Sequence, residues 1–181
     1  MASVFSHAVA ALGIGAVFYK RDVPKYIWVA GAACAAIPDL DVIGFAAGVP
    51  YGSFWGHRGF THSLIFAALL ASAVTIALFP HTLRGMSRPA LGTYLFLATA
   101  RHGVLDAMTD GGLGVAFFSP FDNRRYFFPL RPIRVSPIGI ERFFSQRGWA
   151  VLESEFLWIW LPAATLIAVS LVMRREKTAV R

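Results

Sequence analysis

The sequence predicts an all-α fold: a polytopic membrane helix bundle of about five apolar helices, with a metal site near one membrane face. Three observations predict it. Of the 181 residues, 56% are hydrophobic and only 15% charged, more apolar surface than a domain of this size can hide from water, so lipid is the expected solvent. The apolar residues fall into segments of near-spanning length, separated by turns that carry Lys, Arg and Pro. Side chains that bind divalent metals collect at the ends of those segments.

At this length the chain, residues 1–181, reads as a single domain. Residues 2–19 form the first span, and the stretch lacks the basic start of a cleaved signal. Ser3, His7, Ala11 and Gly15 recur every four residues, a small-residue face that turns His7 into a bundle. Lys20, Arg21 and Lys25 mark a turn, and Pro24 suits the start of the next helix. That helix, Tyr26–Ile37, is short, packs closely through Gly31 and Ala35, and is expected to stop at Pro38 and deliver Asp39 and Asp41. Val42–Gly56 reads as a loop whose Tyr51, Phe54 and Trp55 favour the membrane interface.

Thr61–Phe79 is the clearest span and ends at Pro80. Pro89–Met108 is the next, and it carries His102, Asp106 and Asp110 as one stripe. Ionisable residues inside an apolar helix are functional candidates. The alternative is an internally hydrogen-bonded pair. Gly111–Ser154 is a long connection with six arginines between Arg124 and Arg147, suited to lipid phosphates or to a plain basic flank. Glu155–Met173 is the last span, with Pro162 expected to kink it, and it leaves through Arg174, Arg175, Lys177 and Arg181. Cys34 is the only cysteine, so no intrachain disulfide forms. The net charge of +7 lacks the interleaved basic surface of a nucleic-acid binder.

Alternating five spans across a membrane places His7, Asp39, Asp41, His57, His62, His102, Asp106 and Glu155 on one side, and His81 alone on the other. Eight ligand-type residues exceed one closed zinc site and suit two or three ions with positions open to water. Zinc fits the mixed imidazole and carboxylate set best, and manganese or iron is also compatible. Counting basic residues on the two sides places the ligand side away from the cytoplasm.

The pieces His7, Pro38-Asp-Leu-Asp41, His57-Arg-Gly-Phe-Thr-His-Ser63, His102-x3-Asp106-x2-Thr109-x2-Gly112 and Glu155 together resemble the LexA-regulated, membrane-bound metal-dependent hydrolases, a family of bacterial inner-membrane proteins. That family is similar to zinc-dependent phospholipase C. The resemblance implies an all-helical fold around a multinuclear zinc site and hydrolysis of a phosphoester. Asp39 or Asp41 is then the candidate base, and Arg58 the candidate stabiliser of anionic charge or half of a structural ion pair. A site at the membrane interface implies a membrane lipid or other amphiphilic phosphoester as substrate. The rival expectation is a non-catalytic metal-binding transporter or sensor, which would hold its ligands near the bilayer midplane. No oligomeric state follows from the sequence.

Overall fold

A computed structural model describes residues 1–20, 22–81, 83–137 and 143–179. Arg21, Arg142 and Arg181 lie outside the described residues. No strand occurs among those residues, and the chain forms helices α1 (Val4–Phe18), α2 (Tyr26–Ala36), α3 (Leu64–Leu78), α4 (Arg88–Ala107), α5 (Gln146–Glu155) and α6 (Leu161–Ala179). A 3₁₀ segment, Ile37–Ala47, continues α2, and a π-helical turn, Phe156–Trp160, joins α5 to α6 as one rod. The hydroxyls of Ser3, Ser63 and Ser87 accept the N–H groups of Ser6, Phe66 and Ala90, so α1, α3 and α4 each start on a serine cap.

One expectation about prolines changes in part. Helix α2 does end at Ala36, just before Pro38, but Pro38 does not end the helical run. It sits in the first positions of the 3₁₀ segment, where a missing N–H is tolerated, and the chain tightens and runs on to Ala47. Pro162 lacks the N–H that would bond the carbonyl four residues back. The ladder widens before it, with Leu161 N–H bonding to the Phe156 carbonyl.

Among the described residues, two helices are long and apolar enough to cross a membrane: Tyr26–Ala47, 22 residues, and Gln146–Arg175, 30 residues. Only 11% of the apolar window in Gln146–Arg175 is buried, unlike the core helix of a soluble protein. Helix α3, expected to be the clearest span, has 15 residues like α1. Each rises about 22 Å, short of a hydrocarbon core of about 30 Å. The difference arises because Phe60–His62 form a 3₁₀ turn and Ser63 a cap, which start α3 later than its apolar pattern does.

Helix α4 is the centre of the packing and touches α1, α2 and α3, while α1 also packs on α6. Leu91, Tyr94, Leu95 and Ala98 of α4 meet Ala11, Ile27, Ala35 and Ala71 in the main core. Gly31 lets α2 and α4 approach closely: a Cβ there would lie 1.9 Å from the Tyr94 hydroxyl. The turn after α1 meets the turn after α3, with Val23 against Gly85 and Tyr26 stacked on Phe79. Arg174 donates to the last carbonyls of α1, so Lys20, Lys25, Arg84, Arg88 and Arg174 gather at that end. The ligand-type residues gather at the other.

Gly31→Ala should therefore destabilise the protein by about 1–3 kcal/mol through overpacking. Gly92→Ala, whose Cβ meets nothing closer than 3.7 Å, should be neutral or mildly stabilising. Thermal unfolding in detergent distinguishes the two.

Candidate metal centre

Three pieces of chain converge at the ligand end. The 3₁₀ segment supplies Asp39 and Asp41, the Gly56–Ser63 stretch supplies His57, Arg58 and His62, and α4 supplies His102 and Asp106 one turn apart. Gly103 makes this convergence possible, since a Cβ there would lie 2.9 Å from the His62 carbonyl. Arg58 adopts φ 63°, the only positive φ at a non-glycine among the described residues, which marks a conformation held by its surroundings.

Asp39, His62, His102 and Asp106 each offer one ligand atom, all within 4.8 Å of one another and all buried. His62 Nε2 lies 3.1 Å from His102 Nε2, 3.7 Å from Asp39 Oδ1 and 3.5 Å from Asp106 Oδ2. His102 Nε2 lies 3.2 Å from Asp39 Oδ1. Zinc bonds of about 2.0–2.1 Å give a tetrahedron edge of about 3.3 Å, and these separations bracket it. His102 Nδ1 donates to the Ala35 carbonyl at 2.6 Å, which leaves a lone pair on Nε2 facing the cluster. His102 and Asp106 are therefore not partners of each other, as the alternative expectation required.

A second group, Asp41, His57 and His62, shares His62 with the first. Asp41 orients both rings: Oδ1 lies 2.7 Å from His57 Nδ1, and Oδ2 3.2 Å from His62 Nδ1. Thr61 Oγ1 and the Arg58 N–H also donate to Asp41 Oδ2. Both histidines thus carry the proton on Nδ1 and present Nε2, the arrangement that second-shell carboxylates impose on metal-binding imidazoles. Burial holds the His57 imidazole below the ordinary histidine range, with Asp41 pulling the other way. His57 Nε2, both ring nitrogens of His7 and Asp39 Oδ2 are buried without a hydrogen-bond partner. Buried polar atoms are normally bonded, and the acceptors among these orphans, His57 Nε2 and Asp39 Oδ2, are atoms that a cation would satisfy.

The remaining expected residues fall into different roles. His7 lies flat on His102, ring centroids 3.6 Å apart, with Nε2 3.6 Å from Asp106 Oδ1, adjacent to the first group but a member of neither. Glu155 also belongs to neither. Its carboxylate accepts the Ser3 N–H and the Ser3 and Ser6 hydroxyls, clasping the rod at the π turn to the start of α1. Arg58 is wholly buried: Nε forms an ion pair at 3.0 Å with Asp106 Oδ2, Nη1 donates to the Gly111 carbonyl and Nη2 to Thr109. Of its two expected roles, the ion pair is the one the geometry contains. Asp110 lies beyond the end of α4, exposed and bonded to the Val135 N–H, so the helical stripe ends at Asp106.

Sequence reasoning missed Thr61, Thr109, Ser3 and Ser6 as supports of these acids and cations. Thr61 and Thr109 stood inside the quoted motifs, but a hydroxyl alone carries no ligand signal. It also missed Arg125, which donates to the Tyr51, Ser53 and His57 carbonyls and ties the long connection over the site.

The fold and cluster define a class: an all-helical protein with outward-facing apolar helices and buried groups able to hold a metal ion. The chain belongs to the YdjM inner membrane protein family, whose model matches residues 1–177. It is similar to inner membrane protein YbcI of Escherichia coli (strain K12), 35% identical over 175 residues that cover 97% of this chain and 100% of that protein. No solved structure matches. The family places the chain in the inner membrane, and its description states no reaction.

His102→Ala and Asp39→Asn should each remove bound metal from the purified protein, because each deletes one of four ligands. His81→Ala, beyond the far end of α3, should leave metal content unchanged. Elemental analysis after chelator-free purification measures this, with about two ions per wild-type chain expected from the two ligand groups.

Proposed function

We propose that the protein is a multi-pass inner-membrane hydrolase, dependent on a divalent metal, zinc first, that cleaves a phosphoester in a lipid or lipid-like substrate. The observation that carries this reading is the four-residue group Asp39, His62, His102 and Asp106, buried and with one ligand atom from each within 4.8 Å of the others, with His62 also engaged by Asp41. A divalent ion in such a site supplies Lewis acidity and activates water at neutral pH. Of the two candidate bases, Asp41 spends both oxygens on positioning, whereas Asp39 Oδ2 has no partner, so Asp39 is the proton acceptor. Arg58 fixes Asp106 and keeps its charge compensated.

A second reading, a non-catalytic metal-binding transporter or sensor, draws on the burial of all four ligands. The cluster sits at the ends of α3 and α4 rather than along their middles, which favours chemistry at an interface over carriage across the bilayer. In the proposed topology all five rods cross, the short α1 and α3 with help from their flanks. The basic end faces the cytoplasm and the cluster faces away from it.

His62→Ala, His102→Ala and Asp106→Asn should abolish hydrolysis, while His81→Ala retains it within about twofold. The assay offers phospholipids and generic phosphodiesters to zinc- or manganese-loaded protein in detergent. A metal-loaded wild type that turns over nothing across the panel would favour the binder.

For topology, Trp55→Cys on the ligand side should react with an impermeant maleimide in intact spheroplasts. Arg88→Cys should react only after the membrane is opened. The reverse pattern would invert the proposed orientation.

A further inference from the structure

Most arginines on the ligand side are consumed by the fold. Arg58 is bonded to Asp106, Gly111 and Thr109, and Arg125 to three carbonyls. Arg124 pairs with Asp122, and the Arg131 guanidinium lies 4.8 Å from the centre of the Phe127 ring. Arg134 and Arg147 differ. Both are exposed, and among the described residues neither guanidinium has an ion-pair partner. They line one open groove of about 420 Å³ together with Asp110 and Gln146. Asp110 is occupied through Oδ1 by the Val135 N–H, and the groove remains net positive.

Gln146 also lines a second groove, of about 550 Å³, with Phe143, Phe144, Trp149 and Leu152. Phe144 is 82% exposed and Trp149 70%, so two large rings stand free at its edge. Both grooves open on the first turns of α5, where the 30-residue apolar segment Gln146–Arg175 begins. A helix of that length rises about 45 Å, enough to run from one headgroup layer to the other. The first turns of α5 therefore lie at headgroup depth. A positive groove there, joined to an apolar groove with exposed aromatic rings, is complementary to a phosphate on an acyl chain.

We propose that α5 carries a phospholipid-binding site, with the lipid phosphate between Arg134 and Arg147 and the upper acyl chain in the groove of Phe143, Phe144, Trp149 and Leu152. The site uses none of the metal-cluster residues and stands independently of the hydrolytic reading.

The test is binding of a fluorescent phosphatidylglycerol to the full chain in detergent micelles. Arg134→Gln and Arg147→Gln should each weaken binding roughly fivefold, and the double variant about twentyfold, from the usual contribution of an interfacial arginine. The double Lys variant should retain most of the affinity, which shows that charge and not folding was lost. Trp149→Ala should weaken binding of the lipid, because it removes one wall of the acyl-chain groove. His102→Ala and chelation should leave binding intact, so failure of the metal reading does not disguise itself as failure here. Unchanged binding in the double Gln variant would overturn the proposal. So would equal binding of diacylglycerol, which lacks the phosphate, or displacement of the lipid by inorganic phosphate at matched concentration.

Discussion

Asp39, Asp41 and Asp106 meet in an interior that excludes water, with the guanidinium of Arg58 as the cation bonded among them. Carboxylates stripped of water are costly unless paired and hydrogen-bonded, and losing one partner of such a set is more damaging than never having built it. The surroundings answer this constraint residue by residue. Arg58 is fixed by Gly111 and Thr109 so that its Nε meets Asp106, at the expense of a left-handed backbone. Asp41 is held by Thr61, by the Arg58 N–H and by two imidazoles. What remains is a set of ligand-type atoms facing one another, His62 Nε2, His102 Nε2, Asp39 Oδ1 and Asp106 Oδ2, an arrangement suited to a cation.

The helices are arranged to hold this end rigid. Ala35, at the close of α2, offers its carbonyl to His102, so the packing of α2 on α4 sets the ring orientation of a ligand. Gly103 brings the His57–His62 stretch against the same turn of α4. Glu155 takes the serines at the start of α1, and Trp160, a turn later, donates to Ser6, so the long outer rod is tied to the helix that carries His7. The π turn between Glu155 and Leu161 lets that rod present Glu155 inward while α6 keeps its apolar face outward. The long connection is tied down by Arg125 and covers the site. Most of its described arginines are structural, which is why the two without an ion-pair partner among the described residues stand out.

Much of the site was legible in the sequence because metal-competent side chains are rare in apolar chains. Asp39, His62, His102 and Asp106 could be named from residue type, and their meeting followed from counting spans. The i, i+4 spacing of His102 and Asp106 gave their shared face. Roles were less legible. Nothing local shows that Glu155 will be spent on serines 149 and 152 residues away, or that Arg58 will be enclosed rather than offered to a ligand. Those outcomes depend on tertiary contacts. Helix lengths were misjudged for a related reason: apolar periodicity sees residues 61–79 as continuous, whereas the 3₁₀ turn that aims His62 takes the first of them out of α3. At Pro38 the opposite happened, because a 3₁₀ continuation satisfies the backbone where an α-helix would have ended.

The central claim is that a metal ion sits among imidazole nitrogens and carboxylate oxygens of these three chain segments. X-ray absorption spectroscopy at the zinc edge, on protein loaded and washed in detergent, tests it most directly. The account predicts a first shell of nitrogen and oxygen at about 2.0–2.1 Å, with the outer-shell scattering of about two imidazoles and no sulfur. A shell containing sulfur, which could come only from Cys34 or a methionine, or one of oxygen alone without imidazole scattering, would contradict it.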